Sequence, residues 1–177
     1  PLTEGMAVQT DDDEVVDDAR RVVELMIERL PRSALDRSSE LADVCARLSI
    51  PPTSFADVGR GLGSDSSHPY IELDRDLCIA CGRCVRMCDE VQGTFALTLV
   101  GRGADTVVDT GTGGPWFESA CVACGGCVDS CPTGAISETG TGILSTSQAA
   151  VTTQTTCGYC GVGCTLDVHT VDDQIVS

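Results

Sequence analysis

The chain has 177 residues, with 27 Asp and Glu against 11 Arg and no Lys, giving a formal charge of −16 and a sequence pI near 4.2. Such acidity, without a basic stripe, excludes nucleic acid as a partner and is expected of a halophile, which uses surface charge for solubility; Arg-biased codon usage in a high-GC organism is the alternative. Aromatic residues make up only 3% and no run of about 20 apolar residues occurs, so neither a large conventional core nor a membrane span is expected in this segment.

From the amino terminus, Asp11 to Leu30 is the clearest predicted helix. Val15, Ala19, Val22, Val23, Met26, Ile27 and Leu30 recur at three- and four-residue steps, and acidic residues fill the first turn. Pro31 ends it. Ser39 to Leu48 predicts a second, short helix with Leu41, Val44, Cys45 and Leu48 on one face, where Cys45 reads as a small buried hydrophobe. Residues 51–69, rich in Pro and Gly, read as a linker in which His68 is solvated. Thr94 to Val100 and Ala104 to Asp109 predict strands joined through Gly101-Arg102-Gly103, followed by a turn over Gly111 to Pro115. Trp116 and Phe117 are expected to pack this region. Residues 141–152 read as a second linker, and Leu166 to Val176 alternates like a strand hairpin, with His169 facing solvent.

The chemistry lies in the twelve Cys. Cys78, Cys81, Cys84 and Cys88, then Cys121, Cys124, Cys127 and Cys131 with Pro132, both read C-x2-C-x2-C-x3-C, the bacterial ferredoxin run. Three close thiolates wrap one corner of an iron-sulfur cube, and the fourth of each run completes the cube held by the other. One 4Fe-4S cluster, A, is thereby expected on Cys78, Cys81, Cys84 and Cys131, and a second, B, on Cys121, Cys124, Cys127 and Cys88. Zinc sites and disulfides fit less well, because four Cys crowd into each run. Gly82, Gly125 and Gly126 permit tight backbone between ligands, and Ile79, Ala80, Val85, Val122, Ala123 and Val128 are expected to wrap the cubes. Short helices are expected after each run. Without its clusters, the chain from Leu73 to Ile136 is expected to be largely disordered. A third group, Cys157, Cys160 and Cys164, is spaced C-x2-C-x3-C and lacks a fourth ligand. A zinc knuckle or a three-Cys site is the alternative there.

These blocks resemble the large subunit of molybdenum- or tungsten-dependent formate dehydrogenases, in the molybdopterin oxidoreductase family and related to the large iron-sulfur subunit of complex I. The likeness is carried by Asp76 to Cys88, Glu90-Val91-Gln92-Gly93, Gly101-Arg102-Gly103 with Asp105 to Val108, Cys121 to Gly134, and Cys157 to Cys164. It implies that Cys157, Cys160 and Cys164 hold a third 4Fe-4S cluster whose fourth ligand lies beyond the chain. It further implies a Mo/W-bis(molybdopterin guanine dinucleotide) centre in the full-length protein. The amino-terminal part resembles the segment that follows a 2Fe-2S domain in that family. Leu30 to Glu40 holds no His or Cys, so the His-and-three-Cys cluster of many relatives is expected to be absent. Since Pro1 is not an initiator Met, an internal fragment is expected.

The architecture expected is α+β. A helical segment (1–50) and a linker (51–69) precede a double-cluster ferredoxin-like module (70–140) with pseudo-twofold symmetry. A second linker (141–152) and the first hairpin of a molybdopterin-binding domain (153–177) follow. The spacing supports electron transfer; the resemblance implies formate oxidation downstream, with no catalytic residue in these 177 positions. The implied partner is a flavin- or iron-sulfur-containing subunit or a soluble ferredoxin, in the cytoplasm, although a signal peptide is not excluded. The rivals are a stand-alone two-cluster carrier and a related molybdopterin or complex-I-like subunit with another substrate.

Overall fold

A computed structural model describes residues 3–139, 151–158, 161–171 and 174–175. Two compact units emerge, Pro1–Ile136 and Ser137–Ser177. Helix α1 (Asp13–Ile27) starts where the Asp12 carboxylate accepts from the Val15 N–H at 2.8 Å, satisfying one orphan donor of the first turn. Its inward stripe is turned by one residue from the predicted one. Ile27 is buried and Val23 packs beside it, whereas Val15, Val22 and Leu25 are exposed. The apolar residues form a band wider than the core they face, so periodicity alone could not choose its centre. Arg20 fixes the choice by donating from Nε to the Leu48 carbonyl at 2.9 Å.

After a turn at Arg32–Asp36, α2 (Glu40–Arg47) is capped by Ser39, whose hydroxyl accepts from the Ala42 N–H at 3.2 Å. Leu41 and Cys45 are buried as expected. The Leu41 N–H donates to the Pro132 carbonyl at 2.8 Å, tying α2 to the second cysteine run.

Residues 51–69 do more than link. Phe55 is buried, Ala56 bridges to Pro31, and β1 (Ser64–Asp65) pairs antiparallel with β2 (Ile71–Asp74), Ser64 opposite Asp74. In β2 the period-two pattern sends Ile71 and Leu73 inward. Helix α3 (Arg83–Arg86) lies inside the first cysteine run and continues as a π-type turn, Met87–Gln92. The hairpin of β3 (Leu97–Val100) and β4 (Val107–Thr110) has Leu97 opposite Thr110 and Val100 opposite Val107. Helix α4 (Gly126–Asp129) lies inside the second run, and β5 (Ile136–Glu138) joins β2 as the third strand of the first sheet. Both short helices begin within the runs, after the left-handed Gly82 and Gly125; the first continues past Cys88 to Gln92, whereas the second ends at Asp129, before Cys131.

Ile27, Leu30, Leu73, Leu77, Val108, Trp116 and Ile136 centre the core. Residues from the three segments read separately as 1–50, 51–69 and 70–140 share that core, the last of them up to Ile136. Two further expectations need correction. His68 is only 7% exposed, because its ring stands 5.9 Å from both Tyr70 and Trp116, and Phe117 is 58% exposed, so only Trp116 of that pair packs.

In the second unit, β6 (Val151–Thr156) pairs antiparallel with β7 (Thr165–Val171), Val151 opposite Thr170 and Thr156 opposite Thr165. Strand β8 (Gln174–Ile175) returns along β7, as the alternation predicts. His169 is half-buried and shares a 2.9 Å hydrogen bond with Thr152. Of the predicted linker 141–152, residues 141–150 lie outside the described residues, and Val151 and Thr152 already belong to β6.

Candidate metal centres

Each cysteine run follows one backbone recipe. Ala80 and Gly82 in the first, Ala123 and Gly125 in the second, all take positive φ, at 55°, 70°, 54° and 77°. Two alternating left-handed residues curl C-x2-C around a point and aim successive N–H groups at sulfur. The Ala80 N–H reaches Cys78 Sγ at 3.4 Å, and the Ala123 N–H reaches Cys121 Sγ at 3.4 Å. For alanine this conformation is strained, costing about 1–2 kcal/mol, and strain of this kind gathers at functional sites.

The fourth cysteine of each run departs by geometry. Cys84 and Cys88, like Cys127 and Cys131, are four residues apart, which on a helix keeps one face but advances about 6 Å along the axis. Two neighbouring cavities receive them. Cavity A is lined by Cys78, Cys81, Cys84 and Cys131. Cavity B is lined by Cys88, Cys121, Cys124 and Cys127.

The walls come from elsewhere in the fold. Leu99, Val108, Ala135 and Ile136 line cavity A, and Ile71, Met87, Ala96, Leu97 and Trp116 line cavity B. Of the wrapping residues expected from sequence, Ile79, Val85 and Val128 pack against the core. Ala80 lines cavity A and Val122, although largely exposed, lines cavity B, whereas Ala123 is exposed and lines neither, because its left-handed turn carries it to the surface.

Burial dominates for the two most deeply buried ligands, Cys84 and Cys127, the ligand thiols whose ionisation is shifted, and each also feels the other run, Cys84 through Cys131 and more weakly Cys127, and Cys127 through Cys88. Burial first, then the neighbouring thiolates of Cys131, Cys78 and Cys81, push the Cys84 thiol up to about 12. Burial, then Cys121 and Cys124, and more weakly Cys88, push Cys127 up to about 12. Four such groups cannot ionise together unless cations neutralise them. Other donors stand ready: Ala96 N–H is 3.3 Å from Cys88 Sγ, Thr94 Oγ1 is 3.2 Å from it, and Thr133 Oγ1 is 3.7 Å from Cys131 Sγ. Among the described residues, no three His, Cys, Asp or Glu converge closely enough for a single ion. Thiol chemistry, enclosed apolar cavities and N–H groups aimed at sulfur fit a multi-atom iron-sulfur cluster in each cavity.

Arg60 was not legible as part of the site. From the loop before β1 its guanidinium donates to the carbonyls of Ala104 at 2.6 Å, Arg75 at 3.2 Å and Cys78 at 3.0 Å, and no ion pair joins it to a carboxylate among the described residues. Arg86 donates to the Cys81 carbonyl at 3.4 Å. Arg83 pairs with Glu40 at 2.6 Å; Glu40 first, and Cys81 and Cys131 more weakly, raise its pKa.

In the second unit the Cys157 N–H donates to the Cys164 carbonyl at 2.8 Å, closing the loop between β6 and β7. Cys164 is exposed and Cys157 half-buried; Cys160 lies outside the described residues. Cys45, buried with its pKa raised by desolvation, lines neither cavity.

Two domain families match this chain. Residues 68–137 match the NADH-quinone oxidoreductase subunit 3, ferredoxin-like domain, and residues 150–177 match the molybdopterin oxidoreductase Fe4S4 domain. The NADPH-Fe(3+) oxidoreductase subunit alpha of Geobacter sulfurreducens is 28% identical over 179 residues, covering 99% of this chain and 21% of that protein. An NADH-quinone oxidoreductase subunit of Rhizobium meliloti is 32% identical over 171 residues, covering 93% and 20%. The chain therefore spans about a fifth of the length of these relatives, which are oxidoreductase subunits. Its fold resembles a chain of NAD+-reducing [NiFe]-hydrogenase in the H2-reduced state, with a TM-score of 0.67 at 23% identity, covering 78% of this chain and 61% of that one. The mixed helix and small-sheet architecture with a ferredoxin-like module agrees with the sequence-based expectation. No described helix is long and apolar enough to cross a membrane.

Proposed function

We propose that this chain is the electron-transfer portion of a molybdopterin-dependent oxidoreductase large subunit, serving formate oxidation in the cytoplasm. The observation that carries the reading is the crossed lining of the two cavities, each taking three thiols from one run and one from the other. Cys78, Cys81, Cys84 and Cys131 hold one 4Fe-4S cluster, and Cys88, Cys121, Cys124 and Cys127 hold the other. When bound, each cluster takes up and releases one electron. The residues around it set how readily. Leu99, Val108 and Ile136 on one side, and Ile71, Leu97 and Trp116 on the other, limit water. N–H groups from Ala80, Ala123 and Ala96 stabilise negative charge on sulfur. Cys81 and Cys124 are the exposed thiols of the two sets, so each cluster would have one ligand near the surface, on the side open to an electron partner.

Cys157, Cys160 and Cys164 supply three ligands of a third cluster, and the Mo/W-bis(molybdopterin guanine dinucleotide) centre belongs to the full-length protein. The match of residues 150–177 supports this arrangement, and the resemblance of the cysteine blocks to formate dehydrogenases supports the substrate. A flavin- or iron-sulfur-containing subunit, or a soluble ferredoxin, accepts the electrons. The excess of carboxylates supports a high-salt cell interior.

A second reading, a complex-I-like subunit with another substrate, is favoured by the match of residues 68–137 and by the Rhizobium meliloti relative. Purification of the full-length natural protein, with pterin and metal analysis and formate-dependent dye reduction, separates the two. Bound pterin with formate turnover supports the first; pterin without turnover moves the assignment to the second. If pterin is missing altogether, a plain electron carrier is left.

A further inference from the structure

Among the described residues, two buried side-chain polar atoms have no hydrogen-bond partner, Arg60 Nε and Trp116 Nε1. Trp116 is 1% exposed and lines cavity B with Cys88, Cys121, Cys124 and Cys127. A buried N–H donor without an acceptor is rare in a native fold. The adjacent ring cannot supply one. His68 Nδ1 already accepts from the Tyr70 N–H at 3.2 Å, so in the neutral ring the proton sits on Nε2, and that nitrogen is a second donor. The remaining lining of cavity B is apolar apart from the four thiols and Thr94, whose hydroxyl is engaged with Cys88 Sγ. The acceptor that this site offers once filled is sulfur.

We propose that the Trp116 indole N–H donates a hydrogen bond to a sulfur of the cluster in cavity B and raises its reduction potential. The inference rests on the cluster assignment proposed above and adds a positioning residue to it. An N–H dipole with its positive end at sulfur stabilises the electron-rich reduced state more than the oxidised one. The His68 ring, itself packed on Tyr70, stands 5.9 Å from the indole, and the Trp116 N–H of the main chain donates to Asp65 at 3.1 Å, anchoring the residue to β1.

Trp116 is the single Trp of the chain, which makes the test selective. The chain is reconstituted anaerobically with iron and sulfide, using Trp labelled with 15N in the indole, and the reduced clusters are examined by pulsed electron paramagnetic resonance. A 15N coupling to one of the two clusters is expected. In parallel, Trp116 is replaced by benzothienylalanine, which keeps the shape and lacks the N–H. The reduction equilibrium of one cluster should fall about three- to tenfold, tenfold being 59 mV for a one-electron couple, with the other cluster unmoved. Full iron loading with no 15N coupling and unchanged potentials would overturn the role of Trp116 while leaving the clusters in place. If the unmodified chain takes up no iron, the cluster assignment itself fails. The labelled, unmodified chain decides the matter even if the substituted one does not load.

Discussion

Arg60→Gln should lower the potential of the cluster in cavity A and leave that in cavity B nearly unchanged. The guanidinium touches the Cys78 carbonyl at 3.0 Å, so its charge stands one residue's thickness behind a ligand sulfur. Two unit charges 4 Å apart interact by about 4 kcal/mol at an effective dielectric constant of 20, and roughly twice that separation gives about 2 kcal/mol. Part of the side chain is open to solvent, so this is an upper figure. For one electron, 2 kcal/mol is about a thirtyfold change in the reduction equilibrium, or close to 90 mV. The assay is a redox titration of the reconstituted chain followed by electron paramagnetic resonance. Arg60→Lys serves as a control that keeps charge but loses the three-carbonyl fork, and should recover most of the shift. The cluster in cavity A is identified by the wave that Cys131→Ser perturbs. Equal potentials in Arg60→Gln and the unsubstituted chain, or a shift confined to cavity B, would show that Arg60 is only a strut between Ala104 and Arg75.

The crossed lining predicts that Cys88→Ala costs the cluster of the second run and Cys131→Ala that of the first. Each should lose about half the iron bound by Cys78 to Cys131, and loss from the substituted residue's own run would refute the crossing. Because Cys84 and Cys127 are raised to about 12, their protonated forms stabilise the metal-free fold below about pH 9 and lose that contribution as pH climbs toward 12. Metal binding must displace those protons, so apparent iron affinity should rise by up to about tenfold per pH unit for each thiol between pH 7 and 9. Competition with a chelator measures it, and a flat profile would contradict the buried-thiol argument. Gly101→Ala should destabilise the β3–β4 hairpin by roughly 2 kcal/mol or more, since its φ is +82° and an added Cβ would clash with the Asp105 carbonyl oxygen. A melting temperature within a degree of the parent would refute that.

The cysteine runs could be read in sequence because ligand spacing is local: a C-x2-C turn and a four-residue helical step need no distant partner. The hairpin of β3 and β4 was legible for the same reason, its turn residues Gly101 and Gly103 lying between alternating strands. Arg60 and His68 were not, and Trp116 was legible as a packing residue but not as part of the cavity B lining. Their roles depend on the β1–β2 pairing, which brings a Pro- and Gly-rich loop beside the cysteine runs, and no periodicity within that loop announces it. The wrapping of the cavities was misassigned at Ala123 because proximity in sequence to a ligand was taken for proximity of side chain to the cluster. Positive φ at Ala123 breaks that equivalence, and alanine gives no sequence signal of it.

The backbone repeats between the runs, but the charges do not. Ala80 and Gly82 correspond to Ala123 and Gly125 in conformation, yet Arg83 and Arg86 correspond to Gly126 and Asp129. Gly126 is small because Met87, from the first run, packs on it: a Cβ there would come within 3.0 Å of the Met87 Cγ. The asymmetry is thus partly a packing requirement of the interface between α3 and α4. Its electrical consequence is that the cations gather around cavity A. Arg83 is offset by Glu40 and Arg86 is exposed, which leaves Arg60 as the dominant source. Two clusters of one type in one module should therefore titrate as two waves, the upper belonging to cavity A, and Arg60→Gln should draw them together. A single wave in the parent chain, or an upper wave lost in Cys88→Ser instead of Cys131→Ser, would mean that local hydrogen bonds to sulfur outweigh the guanidinium charge.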